Sequence, residues 1–174
     1  HRVDRRQRQM CIRDRYEMIC SLTNCSSDQI VNDDDIKQII VDGVMALPSF
    51  SNGNGPYGKN RSEILGIPKN GAALATIYCA LMISCCLNKL NTQGDVIMDG
   101  SFLKNPILCR LVAQLCGKKN LYISNDEAGT VKGAAQLTQW SQLPILELEK
   151  CEPYNIEGLD LYVSSWFKAI GEIK

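Results

Sequence analysis

Along this chain, stretches whose apolar residues recur every three to four positions alternate with short uninterrupted apolar runs. "NDDDIKQII", residues 32–40, is of the first kind. Ile36, Ile39 and Ile40 share one helical face, and three aspartates fill the cap and first turn, where negative charge suits the helix dipole. An EF-hand loop would need spaced oxygen ligands, a central glycine and a distant glutamate, none of which follows. "GVMALPSF", residues 43–50, and "SEILGI", residues 62–67, predict short strands on either side of a Gly/Asn-rich loop, "SNGNGPYGKN". That loop brings backbone freedom close to two strand ends, which suits a ligand-facing position, although a plain surface turn is the more frequent outcome. Further on, Val96–Met98 predicts a strand and Asn105-Pro106 a capped helix start. Ile107, Leu108, Leu111, Val112 and Leu115 form its stripe, and Gly117 its stop. "NLYIS", residues 120–124, predicts another strand, residues 125–137 a helix with a small face of Gly129, Gly133 and Ala134, and residues 155–170 a closing amphipathic helix. Strand and helix alternating at this spacing predict an α/β fold.

Residues 70–88, "NGAALATIYCALMISCCLN", carry no charge. Their length alone approaches that of a membrane span. Ala, Cys, Ser and Thr dominate the segment, however, and Asn70-Gly71 opens it as a capped helix does. Apolar on nearly all sides, it predicts a central helix sandwiched between layers, and no membrane partner.

Charge changes the picture at the amino end. "RRQRQMCIRD", residues 5–14, is the in-frame translation of a transposon-end adapter used to build sequencing libraries, and Arg15 fits its last two bases. Residues 1–15 are therefore expected to be adapter-derived and disordered, making no packed contacts, with the domain itself at 16–174. They hold six of the 19 basic residues and two of the 19 acidic ones, leaving 13 against 17 in the remainder. The apparent neutrality is thus a cancellation, and the acidic remainder predicts no nucleic-acid partner. His1 is the only histidine, so residues 16–174 have no imidazole for acid–base work. Eight of nine cysteines lie beyond residue 15, without CxxC spacing or a secretory segment, which predicts reduced thiols and a cytoplasmic location.

"VIMDGSFLKNPIL", residues 96–108, carries the candidate chemistry. A strand that ends in a glycine turn before a helix lets a ligand approach backbone N–H groups near the positive helix end. Neither GxGxxG nor a Walker A loop is present, and no acidic residue stands about 20 positions on, which argues against a Rossmann-type binding protein.

The pair "DGSFLKNP" and "NDEAGTVKGAA" resembles the C-terminal domain of the FGGY carbohydrate kinases, and the resemblance covers roughly residues 30–170. It implies the ribonuclease H-like fold of the actin-like ATPase superfamily, a mixed sheet flanked by helices, here expected to be incomplete at its N-terminal side. It also implies an ATP-dependent sugar or polyol kinase working with Mg2+. Gly100, Ser101 and Phe102 would line the adenosine side of a cleft. Lys104 and Asn105 would fall where the family has polar nucleotide contacts, and Gly129 on the helix beside them. Asp99 stands where the family usually has glycine, and Phe102 is bulky. The family's phosphate hairpin, magnesium site and catalytic Gly-Asp are not found in residues 16–174; Gly94-Asp95 lies too far downstream to be that base. No catalytic residue is therefore assigned, and the chain alone is expected to be inactive. The alternative is a non-catalytic actin-like module used for binding or assembly. Neither the sugar nor the oligomeric state is legible.

Overall fold

The computed structural model describes residues 12–50, 56–60, 62–91, 93–117, 119–124, 129–138 and 147–171, the side chains at 101, 102 and 129–132 excepted. Its described parts fall into two compact units, one built from residues up to 91 together with 155–174, the other from 92–154.

The first unit contains α1 (Ile12–Leu22), α2 (Asp33–Asp42), β1 (Met45–Leu47), β2 (Glu63–Leu65), α3 (Gly71–Lys89) and a closing helix (Leu159–Ala169). Its centre is α3, on which α1, α2 and β1 all pack. Every residue from Gly71 to Met82 is buried, as the charge-free sequence predicts. Asn70 caps it: the side-chain oxygen accepts from the Ala72 and Ala73 amides at 3.0 and 3.1 Å. Gly71 is required by space. A Cβ there would collide with Thr23 Oγ1 and lie 2.7 Å from Thr23 Cβ and 2.8 Å from Cys25 Sγ. The turn after α1 thus sits directly on the first residue of α3.

α2 starts as its acidic sequence predicts, with one refinement. Asn32 is the cap, accepting from the Asp35 amide at 2.9 Å, while the Asp35 carboxylate accepts from the Asn32 amide at 3.0 Å. The aspartates are thereby accounted for as a capping box. β1 and β2 pair antiparallel, with Ala46 opposite Ile64. Alternate strand residues point the same way, and helix residues four apart share a face. Tyr162 and Trp166 can therefore donate to the carbonyls of Val44 and Ala46, at 2.7 and 2.8 Å. The expected helix over 155–170 starts only at Leu159, because Asn155 and Gly158 both take positive φ.

The second unit holds β3 (Val96–Met98), a short 3-10 turn (Ser101–Lys104), α4 (Pro106–Leu115), β4 (Leu121–Ser124), α5 (Gly129–Gln136) and β5 (Leu148–Cys151); the closing helix of the first unit is α6. The sheet order is β3-β4-β5. β3 and β4 run parallel with Ile97 opposite Tyr122, and β5 joins antiparallel with Tyr122 opposite Lys150. This is the mixed sheet flanked by helices that the sequence implies. The parallel, adjacent pairing of β3 and β4 is what a strand–helix–strand unit produces.

Two elements differ from expectation. β5 has no counterpart in the predicted set. Only its last residue is buried, so its apolar content is small. α1 is also additional, and it takes in Ile12–Arg15 from the segment expected to be disordered. Arg15 is buried, and the Cys79 thiol lies 3.8 Å from the Ile12 carbonyl. The physical reason is that Ile19 and Cys20 anchor the helix in the core. Once a helix is nucleated, each added residue costs little. Arg13 and Glu17, paired at 2.8 Å, support the extra turn. Residues 1–11, the rest of that segment, lie outside the described residues.

Two consequences are measurable. Gly71→Ala should destabilise the fold by about 1–3 kcal/mol through overpacking against Thr23 and Cys25. At an ordinary helical glycine the same change stabilises by roughly 0.5–1 kcal/mol. Urea unfolding of the two proteins reads the sign directly. The second concerns pH. Burial pushes the phenols of Tyr16 and Tyr78 up to about 12, against a smaller opposing pull from the Thr76 hydroxyl on the first and from Arg15 on the second. Above about pH 10 the unfolded chain releases tyrosine protons that the native state retains, so stability must fall as pH rises towards 12. In Tyr16→Phe and Tyr78→Phe the loss of urea-unfolding stability between pH 10 and 12 should be smaller than in the parent; an unchanged loss in both would contradict it.

Candidate functional site

Five of the six expected site residues form one turn. Met98 ends β3 buried, Asp99 and Gly100 are exposed, and the 3-10 turn carries the chain to Asn105 and α4. Gly100 has φ +85°, in the left-handed region that glycine alone enters freely. Among the described residues, nothing lies within 4 Å of where its Cβ would be. Glycine is thus needed here for backbone direction. The Leu103 amide closes the turn by donating to the Gly100 carbonyl at 3.1 Å.

Asn105 is half-buried, and its side-chain oxygen accepts from the Leu108 amide at 3.1 Å as the cap of α4, with Pro106 in the first turn. That oxygen is engaged in holding the helix start. Lys104 is exposed. Ser101 and Phe102 belong to the turn by backbone, but their side chains lie outside the described residues. Gly129 opens α5, which follows β4; since β3 and β4 are parallel, the chain leaves both strands at the same end of the sheet. The small face of α5 is exposed at Gly133 and Ala134, and a Cβ on Gly133 would meet nothing within 4 Å.

Asp99 has a role that the sequence reading did not assign. Its carboxylate accepts from the Gly100 amide at 2.6 Å. The amide that a glycine in place of Asp99 would leave open to a ligand is held by the chain itself. An Asp immediately before a Gly was the available signal, since aspartate readily bonds neighbouring backbone amides. Asp95, set aside as a base, has a structural task. Its carboxylate accepts from both the backbone and the side-chain amide of Asn120 at 3.2 Å, tying together the starts of β3 and β4.

Other chemistries find little support among the described residues. They contain no group of three or more His, Cys, Asp or Glu side chains able to hold a metal ion. Burial pushes the Cys20 thiol up to about 12 and that of Cys109 to about 11, and raises Cys116 and Cys151 as well. Protonated thiols are poor nucleophiles. The Gly/Asn-rich loop between β1 and β2 is anchored at Tyr57, which is buried with its ring 6.0 Å from that of Trp166; residues 51–55 lie outside the described residues.

Comparison with known proteins agrees with this architecture. No curated protein matches the chain. The crystal structure of a carbohydrate kinase from Novosphingobium aromaticivorans is similar, with a TM-score of 0.73 at 24% identity, over 88% of this chain and 35% of that one. The likeness establishes the ribonuclease H-like fold, and this chain spans about a third of that protein's length. The family model described as "Carbohydrate kinase FGGY, C-terminal domain" matches residues 7–145, well over half of the chain. The chain belongs to the FGGY carbohydrate kinase family, as a C-terminal domain.

Proposed function

We propose that this chain is the nucleotide-side portion of an ATP-dependent kinase that phosphorylates a sugar or polyol hydroxyl in the cytoplasm. The observation that carries the proposal is the Gly100–Asn105 turn: an exposed, positive-φ glycine at the carboxyl end of a parallel strand, followed within five residues by a capped helix start. It lies in a chain whose family is that of carbohydrate kinases. The eight described cysteines form no disulfide with one another, in keeping with a reducing compartment.

No described residue stands within 4 Å of a Cβ at Gly100, which lets a flat ring come close to the backbone. The positive end of α4 and the exposed Lys104 ammonium favour the negative charge of a nucleotide. ATP held there would supply the transferable phosphoryl group. Asp99 acts in the opposite direction. It occupies the Gly100 amide and places a carboxylate beside the nucleotide, so it weakens phosphate-bearing ligands more than uncharged nucleosides. Magnesium does not fit the described residues, which lack a suitable donor group, so no step through it is assigned to them. Phosphoryl transfer depends on positioning, on charge neutralisation and on an acceptor base. We assign the base and the metal ligands to other parts of the parent protein, and expect this chain alone to be inactive.

A second reading, a non-catalytic module of the same fold, is favoured by one observation: the self-occupied Gly100 amide. Calorimetry on the full chain separates the two. The kinase reading expects ATP to bind weakly, of order millimolar, as a ligand held at one end only. Asp99→Gly should tighten binding about fivefold, which is about 1 kcal/mol for a freed amide and a removed charge. A panel of ketoses and polyols should show no phosphorylation. Turnover that survives removal of contaminating kinases would overturn the assignment of the base elsewhere. ATP binding that is undetectable and insensitive to Asp99→Gly would favour the module.

A further inference from the structure

The turn that closes α1 brings two cysteines together. The Cys25 amide donates to the Cys20 carbonyl at 2.9 Å, and the Asn24 amide to the Ser21 carbonyl at 3.2 Å. Asn24 takes φ +53°. These two bonds around a left-handed residue make a Schellman motif, in which the outermost pair of side chains commonly touch. Here that pair is Cys20 and Cys25, bridged by Thr23 Oγ1, which reaches the Cys20 carbonyl at 3.1 Å and Cys25 Sγ at 3.5 Å. With a 2.9 Å bond between carbonyl and amide, standard backbone dimensions hold the two Cα atoms within about 6.8 Å of each other. That is inside the window a disulfide needs, about 4.4–6.8 Å.

The surroundings keep the pair in place. Thr23 Oγ1 stands 3.5 Å from Cys25 Sγ and donates to the Ile19 carbonyl at 2.8 Å. The first residue of α3 closes over both, since a Cβ on Gly71 would meet Thr23 and Cys25. The two thiols differ in access: Cys20 is 1% exposed, while Cys25 is half-buried. No other two described cysteines share a turn in this way.

We propose that Cys20 and Cys25 form an oxidation site, at which a hydroperoxide converts the two thiols into an intrachain disulfide. The accessible Cys25 sulfur attacks the peroxide oxygen, breaking the O–O bond. It becomes a sulfenic acid, and the other oxygen leaves as water or an alcohol. The Cys20 sulfur then attacks Cys25 Sγ, forms the S–S bond and expels hydroxide, which leaves as water with the thiol proton. The two thiols lose two hydrogens and the peroxide is reduced. Burial of Cys20 makes the second step the slower one, so sulfenic acid on Cys25 precedes the bridge.

Cys20 and Cys25 share one tryptic peptide, residues 16–37, which simplifies the test. The full chain is exposed to hydrogen peroxide at neutral pH, denatured, alkylated without reductant and digested. The peptide should appear two hydrogens lighter and unalkylated, and return to the doubly alkylated form after dithiothreitol. Cys109, Cys116 and Cys151 should remain alkylatable at that time. In Cys25→Ser, Cys20 should stay reduced, because its only route is gone. In Cys20→Ser, Cys25 should run on to the sulfinic acid. Both substitutions are small and replace one hydrogen-bonding group with another, and a circular dichroism spectrum confirms the fold. Equal oxidation of Cys20 in Cys25→Ser, or bridges formed first by other cysteines, would overturn the proposal.

Discussion

α3 is buried at every position from Gly71 to Met82, and the first unit is organised by that constraint. α1, α2 and β1 each pack on α3 to cover it. Its capping residue and first glycine fix where the cover can sit. Asn70 satisfies the two amides that burial would otherwise orphan, and Gly71 admits the turn after α1 to within contact distance. The same close approach presses Thr23 and Cys25 onto the helix start, so the geometry of the cysteine pair follows from the burial of α3. On the opposite side β1 is held by hydrogen bonds as well as by packing. Trp166 donates to its Ala46 carbonyl and Tyr162 to that of Val44 just before it, linking the last helix of the chain to the first strand.

In the second unit the governing feature is a change of direction. β3 is only three residues long, and the chain must turn from strand to helix within a few positions. Gly100 provides the backbone conformation, the 3-10 turn carries the chain round, and Asn105 starts the helix. The result is an exposed turn with the positive end of α4 beside it, whose Gly100 amide is held by the Asp99 carboxylate.

Much of this was legible in the sequence, for reasons specific to the residues. α3 and α4 were placed to within a residue or so because each carries an unambiguous start, Asn70-Gly71 and Asn105-Pro106. The parallel pairing of β3 and β4 followed from a helix lying between two apolar runs. The family resemblance rested on two motifs that fall at matching positions after parallel strands. What the sequence concealed was of three kinds. β5 exposes most of its residues, so burial left little trace in its composition. α1 draws its stability from contact with α3, which no local pattern records. The start of α6 is set by positive φ at Asn155 and Gly158, and the apolar stripe gave no sign of it. At the site, the capping role of Asn105 was legible from its place before Pro106. The hold of the Asp99 carboxylate on the Gly100 amide was not, because it follows from three-dimensional placement.

The central claim is that the Gly100–Asn105 turn, together with the start of α5, is a nucleotide contact. Amide chemical shifts of the isotope-labelled full chain, recorded during titration with adenosine, test it without relying on phosphoryl transfer. Adenosine lacks phosphates, so the charge of Asp99 opposes it least. The account predicts that the shifted amides cluster at residues 100–105 and at the start of α5, with saturation at millimolar adenosine. Shifts scattered over the surface, or gathered in the α1–α3 unit with the turn unmoved, would contradict it.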